Sequence, residues 1–339
     1  MALKKNFFSK IKKPFIIGEI ASAHLGDTKN LLYLSNKLKQ TNSNALKFQI
    51  FKTENFVSKY NSYFKILKKI EINFKNWEYI FNKTKKLKIN KICEIFEYES
   101  LVFAHKSDFS DCFKVSVSNL YEEEIIEYIN KYKLSLIINI SGADIQELKK
   151  IINKIKYKDI CLMLGYQNFP TKIKDIELNK IVCLKKNFPK VCVGYADHID
   201  ATTNFFAQAI PLMALSMGAD VIEKHINIDR SKKKNDYYSS LNPDEFKIFV
   251  SNLKKAYLAL GNEKFIVSKA EKKYLNFAKK YLVAKKNLKK GHFIKNDDVN
   301  FKRINKLGVD EGQFKSLIKP KLNKNISQDN VIQINDIIK

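Results

Sequence analysis

The chain has 339 residues, of which 45% are hydrophobic, and a formal net charge of +27. That length fits one large domain with a small companion, and its longest apolar runs fall short of the roughly 20 residues a membrane helix needs. The charge is a diffuse lysine excess with only two arginines, Arg230 and Arg303. Nucleic-acid surfaces concentrate charge and favour arginine forks, so neither a nucleic-acid nor a membrane partner is expected.

The basic start, MALKKNFFSKIKKPF, has no long apolar core or small-residue cleavage site after it, and the protein is expected in the cytoplasm. The five cysteines, Cys93, Cys112, Cys161, Cys183 and Cys192, form no C-x-x-C pair. Most lie in or beside apolar runs, where cysteine acts as a small hydrophobe.

In chain order, FIIGEI (15–20) reads as a strand, followed by a helix over 30–40 that Asp27 or Thr28 could cap. In the strand ALKFQIF (45–51), Lys47 and Gln49 share one face and Phe48 and Ile50 the other. Residues 57–72 read as an excursion with some helix. Further strands are expected at 91–96, 112–117, 135–140, 160–164, 191–195 and 220–223. Helical stretches over 77–87, 101–105, 122–132, 144–155, 176–187, 203–217 and 243–260 separate or follow them. Eight short strands, each followed by a helix, predict an α/β fold, a (β/α)8 TIM barrel. A doubly wound sheet is the alternative, but no glycine-rich fingerprint follows the first strand.

In such a barrel, chemistry sits at the carboxyl ends of the strands. Glu19, Lys47, Gln49, Lys114, Ser141, Gln167, Asp197, His198 and His225 all fall at or just beyond those ends. A lone histidine there is most often a hydrogen-bonded structural residue. Two at matched strand ends, in VCVGYADH and ADVIEKHINIDR, could face one ligand. The texture changes after the last helix. The expected division is a barrel over 1–262, a linker over 263–280, and a small, mostly β domain over 281–339 with a turn at Lys290-Gly291.

The ordered segments FIIGEIASAHLGD, ALKFQIFK, FKVSVSN, VGYADH, VIEKHINIDR and LVAKKNLKKGHFI resemble the sialic acid synthase family, which includes N-acetylneuraminate, legionaminate and pseudaminate synthases. The resemblance spans nearly the whole chain. It implies a transferase that joins phosphoenolpyruvate to an open-chain N-acylated hexosamine and releases phosphate. It also implies that His198 and His225 hold a divalent metal, Mn²⁺ or Mg²⁺, which would polarise the aldehyde. Lys47, Lys114, Gln49 and Glu19 would serve the reacting centre, with Ser141 offering N–H groups to an anion. Gln167, Asp197 and Asp236 would contact substrate. The tail resembles the antifreeze-like (SAF, β-clip) domain of these enzymes, whose late arginine, matched by Arg303, reaches the partner's sugar site in a domain-swapped homodimer.

The match breaks at several places. The family's T-P-F-S-like segment is Glu94-Ile95-Phe96-Glu97 here, a glutamate is replaced by Asn119, an asparagine by Gln167, a nearby tyrosine by Phe169, a serine by Ala196 and a late proline by Ile304. A different acceptor sugar, altered chemistry on another anion, or a binding protein that has lost catalysis are the readings these changes leave open.

Overall fold

Apolar runs buried on both faces build the centre of the first unit, which spans Met1–Gly261. The computed structural model describes residues 6–338 except 167, 169, 262 and 263, and only the backbone of 204. Eight parallel strands follow in order: β1 (Phe15–Glu19), β2 (Ala45–Ile50), β3 (Asn90–Ile95), β4 (Cys112–Ser116), β5 (Leu136–Asn139), β6 (Ile160–Leu164), β7 (Cys192–Asp197) and β8 (Val221–Ile226). Each pairs with the next, and β8 closes on β1 with Glu19 opposite His225. This closed barrel is the expected fold. A two-residue strand, β9 (Ser240–Leu241), adds to β8.

Successive side chains on a strand point to opposite faces, so each strand divides its residues between the barrel interior and the helix layer. Phe15, Ile17, Ala45, Ile92, Cys112, Ile137, Cys161, Met163, Ala196 and Val221 pack together inside. Phe7, Phe8 and Ile11, in and just after the helix Phe7–Lys10, pack against this cluster. Phe7 meets Phe15 edge-on at 5.6 Å, and its N–H donates to Asp159 at 2.5 Å. Continued toward the carboxyl ends, the inward rows turn polar.

Outside, the helices bury their apolar stripes on the strands. Thr28–Gln40 starts at Asp27, whose carboxylate accepts from Lys29 N–H at 2.7 Å, and it buries Leu31, Leu34 and Leu38. It approaches β1 so closely that a Cβ on Gly18 would lie 2.1 Å from a Leu38 methyl carbon. Phe74–Lys85 buries Trp77, the sole tryptophan, edge-on to Phe48 at 5.6 Å. Between β2 and that helix lie two short helices, Thr53–Phe56 just before the expected excursion and Phe64–Ile70 within it.

The second unit spans Asn262–Lys339. It opens with the helix Lys269–Ala278, started by a Ser268–Glu271 capping box. Two antiparallel pairs follow: β10 (Lys280–Ala284) with β11 (Val299–Arg303), and β12 (Lys321–Leu322) with β13 (Ile337–Ile338). The two halves repeat one design. Lys286, Leu288, Gly291, Ile294 and Asp298 recur at one constant offset as Lys324, Ile326, Asp329, Ile332 and Asp336. Lys286 pairs with buried Asp298 at 2.8 Å, and Lys324 pairs with buried Asp336 at 2.5 Å. Leu288 and Ile326 exchange N–H to carbonyl bonds of 2.8 Å in both directions. Gly291 and Asp329 both adopt positive φ, at 85° and 64°.

Candidate active site at the carboxyl end of the barrel

The polar layer surrounds a cavity of about 560 Å³. Lys47, Gln49, Lys114, His198, His225 and Asp236 all line it, so six of the predicted residues converge on one space. Part of its wall comes from the segment between β2 and β3, through Phe56, Tyr63 and Ile66.

Beneath this space lies a buried ion cluster. Lys47 Nζ contacts Glu94 at 2.6 Å, Glu223 Oε1 at 2.8 Å and Glu19. Lys114 Nζ lies 2.7 Å from the same Glu223 oxygen and 3.6 Å from Glu94 Oε1. Gln49 donates to Glu94 Oε2 at 3.3 Å. Glu19 is fully buried and also accepts from Ala21 N–H at 2.6 Å. Burial opposes ionisation throughout: it prevails at Lys47, whose ammonium is held below its ordinary value, while the opposite charges prevail at Glu94, Glu223 and Lys114. Lys114 and Lys47 hold the Glu223 carboxyl well below the usual range, and Glu223 and Glu94 hold the Lys114 ammonium above its own.

Neither Glu94 nor Glu223 was predicted as a site residue. For Glu223 the signal was available, since it is two residues before His225 on β8; Glu94 gains its place only from the register that sets it opposite Gln49 and Lys114.

The two histidines stand on adjacent strands with ring centroids 5.2 Å apart. Burial lowers the His198 pKa to about 4 and pushes His225 well below its ordinary value, with His198 and Lys47 adding to the effect there. Both rings are therefore neutral near pH 7, the form that binds metal. His198 Nδ1 lies 3.0 Å from the Tyr166 carbonyl oxygen, a contact of the kind that fixes the orientation of an imidazole ring. Glu223 Oε2 is buried and accepts no hydrogen bond among the described residues. This donor set fits a divalent ion, although no group of three or more His, Cys, Asp and Glu side chains is gathered for a metal among the described residues.

Asp236 lies in the loop after β8 at φ 59°, where its Oδ2 accepts from Ser22 N–H at 3.2 Å and from the Ser22 hydroxyl at 2.6 Å. Burial raises its pKa despite both bonds. Arg230 fastens this loop. Its Nε donates to the Tyr237 carbonyl at 3.2 Å, and Nη1 reaches both Glu245 oxygens at 3.3 and 3.0 Å.

Other expected residues lie elsewhere. Asp197 faces the helix layer because it shares the outward face of β7 with Tyr195. It bonds Lys224 at 2.6 Å and accepts from the Tyr195 hydroxyl at 3.0 Å, so the structure does not bring it to the histidines. Ser141 lines two adjoining cavities rather than the main one. Its N–H, expected to meet an anion, is donated to Asn139 Oδ1 at 2.9 Å, and its hydroxyl is donated to the Gly165 carbonyl. Gln167 lies outside the described residues. Arg303 belongs to the second unit, where its Nε donates to the Ala278 carbonyl at 3.1 Å.

Three departures from the family pattern have local structural roles. Glu97 caps the helix Tyr98–Lys106 and accepts from Lys52 N–H at 3.2 Å. Asn119 ties the turns after β3 and β4 together by accepting from Ser116 N–H at 3.2 Å and donating to the Phe96 carbonyl at 3.0 Å. Ala196 packs in the apolar interior.

A closed (β/α)8 barrel with an ionisable cluster under a cavity at its carboxyl end has the architecture of a barrel enzyme. More narrowly, the chain belongs to the NeuB family, whose model matches residues 33–265. It is 28% identical over 346 residues to a pseudaminic acid synthase of Campylobacter jejuni, covering 97% of this chain and 98% of that one. It is 26% identical over 342 residues to the N,N'-diacetyllegionaminic acid synthase of the same species, covering 95% and 100%. Its fold matches the N-acetylneuraminic acid (sialic acid) synthetase of Leptospira borgpetersenii at a TM-score of 0.71 and 23% identity, covering 78% of this chain and 90% of that one. No described helix is long and apolar enough to cross a membrane.

Proposed function

We propose that this chain is a nonulosonic (sialic) acid synthase that condenses phosphoenolpyruvate with an open-chain N-acylated hexosamine and releases phosphate. The observation behind this reading is that two buried lysines and two neutral histidines line one cavity. Lys47 and Lys114 bind the carboxylate and phosphate of phosphoenolpyruvate. His198 and His225 hold Mn²⁺ or Mg²⁺, which when bound supplies the Lewis acid that polarises the aldehyde. Glu19 orients Lys47 from below. Gln49 and Asp236 receive the sugar, Asp236 through its carboxylate as positioned by Ser22.

In the same reading the second unit is an antifreeze-like domain. Its Arg303 completes the sugar site of a partner chain in a domain-swapped homodimer, and the enzyme works in the cytoplasm. The three carboxylates around the two lysines favour one alternative, a relative that takes a different anion or binds without turnover.

The test is phosphate release from phosphoenolpyruvate with Mn²⁺ or Mg²⁺ across a panel of N-acylated hexosamines, beside a His225→Ala control. Release with one sugar, lost in the control and under chelation, supports the synthase. No release with any sugar from a folded protein favours the alternative.

A further inference from the structure

The two lysines facing the cavity are neutralised from within the barrel. Lys47 is set against Glu19, Glu94 and Glu223, and Lys114 against Glu94 and Glu223, so each ammonium already has at least two carboxylate partners. An anion entering this layer competes with carboxylates already in place. Lysines placed only to bind such an anion would not need three internal partners.

The three carboxylates are not equivalent. Glu19 sits below the cavity, at 0% exposure, and is fixed by Ala21 N–H. Glu223 gives both lysines one oxygen and belongs to the strand of His225. Glu94 spans the lysines with different oxygens, Oε2 toward Lys47 at 2.6 Å and Oε1 toward Lys114 at 3.6 Å. That is how the carboxylate or phosphate of a ligand would bridge two ammonium groups.

Glu94 also stands where two spaces meet. It lines the main cavity and an adjoining one of about 390 Å³, whose walls include Ser116, Asn139 and Ser141. Asn139 Nδ2 is buried there and donates to no acceptor among the described residues. The side chain therefore has a space beside it that offers neutral hydrogen-bonding groups.

We propose that Glu94 is a resident carboxylate occupying the anion seat of this barrel. It bridges Lys47 and Lys114 in place of the substrate's anionic group, and an incoming anion must displace it. Glu94 thus determines specificity by setting how strongly the seat takes an anion. The proposal rests on the synthase reading only for the identity of that anion.

The test is calorimetric titration of the full chain with inorganic phosphate and, separately, with phosphoenolpyruvate, without any sugar. Glu94→Gln keeps the shape and removes the charge, and it is expected to bind both anions at least tenfold more tightly than the unaltered protein. If that variant fails to fold, Glu94→Asp, which withdraws the carboxylate by one methylene, is expected to show a smaller gain in the same direction. Unchanged or weaker anion binding in the folded variant overturns the proposal. A gain for phosphate without one for phosphoenolpyruvate keeps the role of Glu94 and removes phosphoenolpyruvate as the ligand. Turnover of phosphoenolpyruvate by the unaltered chain, with no gain in the variant, does the opposite.

Discussion

Asp197 and Lys224 form an ion pair of 2.6 Å in which neither side chain is exposed, on the outward face of the strands that carry His198 and His225. Each shares a strand or strand end with one histidine, so the pair ties β7 to β8 behind the site. Removing one partner of a buried pair leaves an uncompensated charge and typically costs about 3–5 kcal/mol. Asp197→Ala is expected to destabilise the fold by that order in a urea titration. Replacing both partners together, as Asp197→Leu with Lys224→Met, is expected to recover most of the loss. An Asp197→Ala protein of unchanged stability would show that the pair contributes little.

His24 gives the fold an acid-sensitive window. It is buried, and its Nδ1 accepts from Gly26 N–H at 3.0 Å, a bond only the neutral ring can take. Burial lowers its pKa from 6.5 to about 4. The unfolded chain therefore binds a proton near pH 6.5 that the folded chain refuses until about pH 4. Stability is full above the first value and falls as the pH drops toward the second, by up to about 3 kcal/mol from this group. Urea midpoints measured between pH 7 and pH 4 are expected to trace that decline. In His24→Asn the amide oxygen can accept the same N–H without titrating, and the slope is expected to be shallower.

Metal affinity provides a separate check on the histidine pair. Losing an outer partner of a metal ligand typically costs 10–100-fold in affinity, and losing a ligand costs more. His198→Ala and His225→Ala are each expected to weaken Mn²⁺ binding by about a hundredfold or more in calorimetry. His198 stays neutral down to about pH 4, so the intact protein is expected to retain the ion at pH 5.5, where an ordinary histidine would be mostly protonated. Equal Mn²⁺ binding by either variant and the intact chain would place the ion elsewhere.

Period-two alternation made the barrel legible. It set Lys47 and Gln49 on one face, and both line the cavity. The same rule shows why Asp197 was misplaced. The run Tyr195-Ala196-Asp197-His198 reads as one motif, yet successive side chains leave a strand on opposite faces, and only Ala196 and His198 turn inward. Glu94 was visible only as a departure from a family pattern. Its meaning depends on which residues lie opposite it on β2 and β4, and register between strands far apart in the chain is not written in either strand alone. The helix Phe7–Lys10 was hidden for a similar reason, because two adjacent phenylalanines in a basic stretch do not reveal the barrel floor they pack against.

Trp77 offers an optical handle on this molecule. It is the chain's sole indole, and it sits behind β2 among Phe48 and Phe81, on the far side of that strand from Lys47. Its emission under selective excitation therefore reports a single dry environment in the barrel wall. That signal shifts to longer wavelength when the barrel opens to water. Trp77 belongs to the first unit, so comparing its signal with far-ultraviolet circular dichroism, which reads the helices and strands of the whole chain, shows whether that unit melts together with the rest.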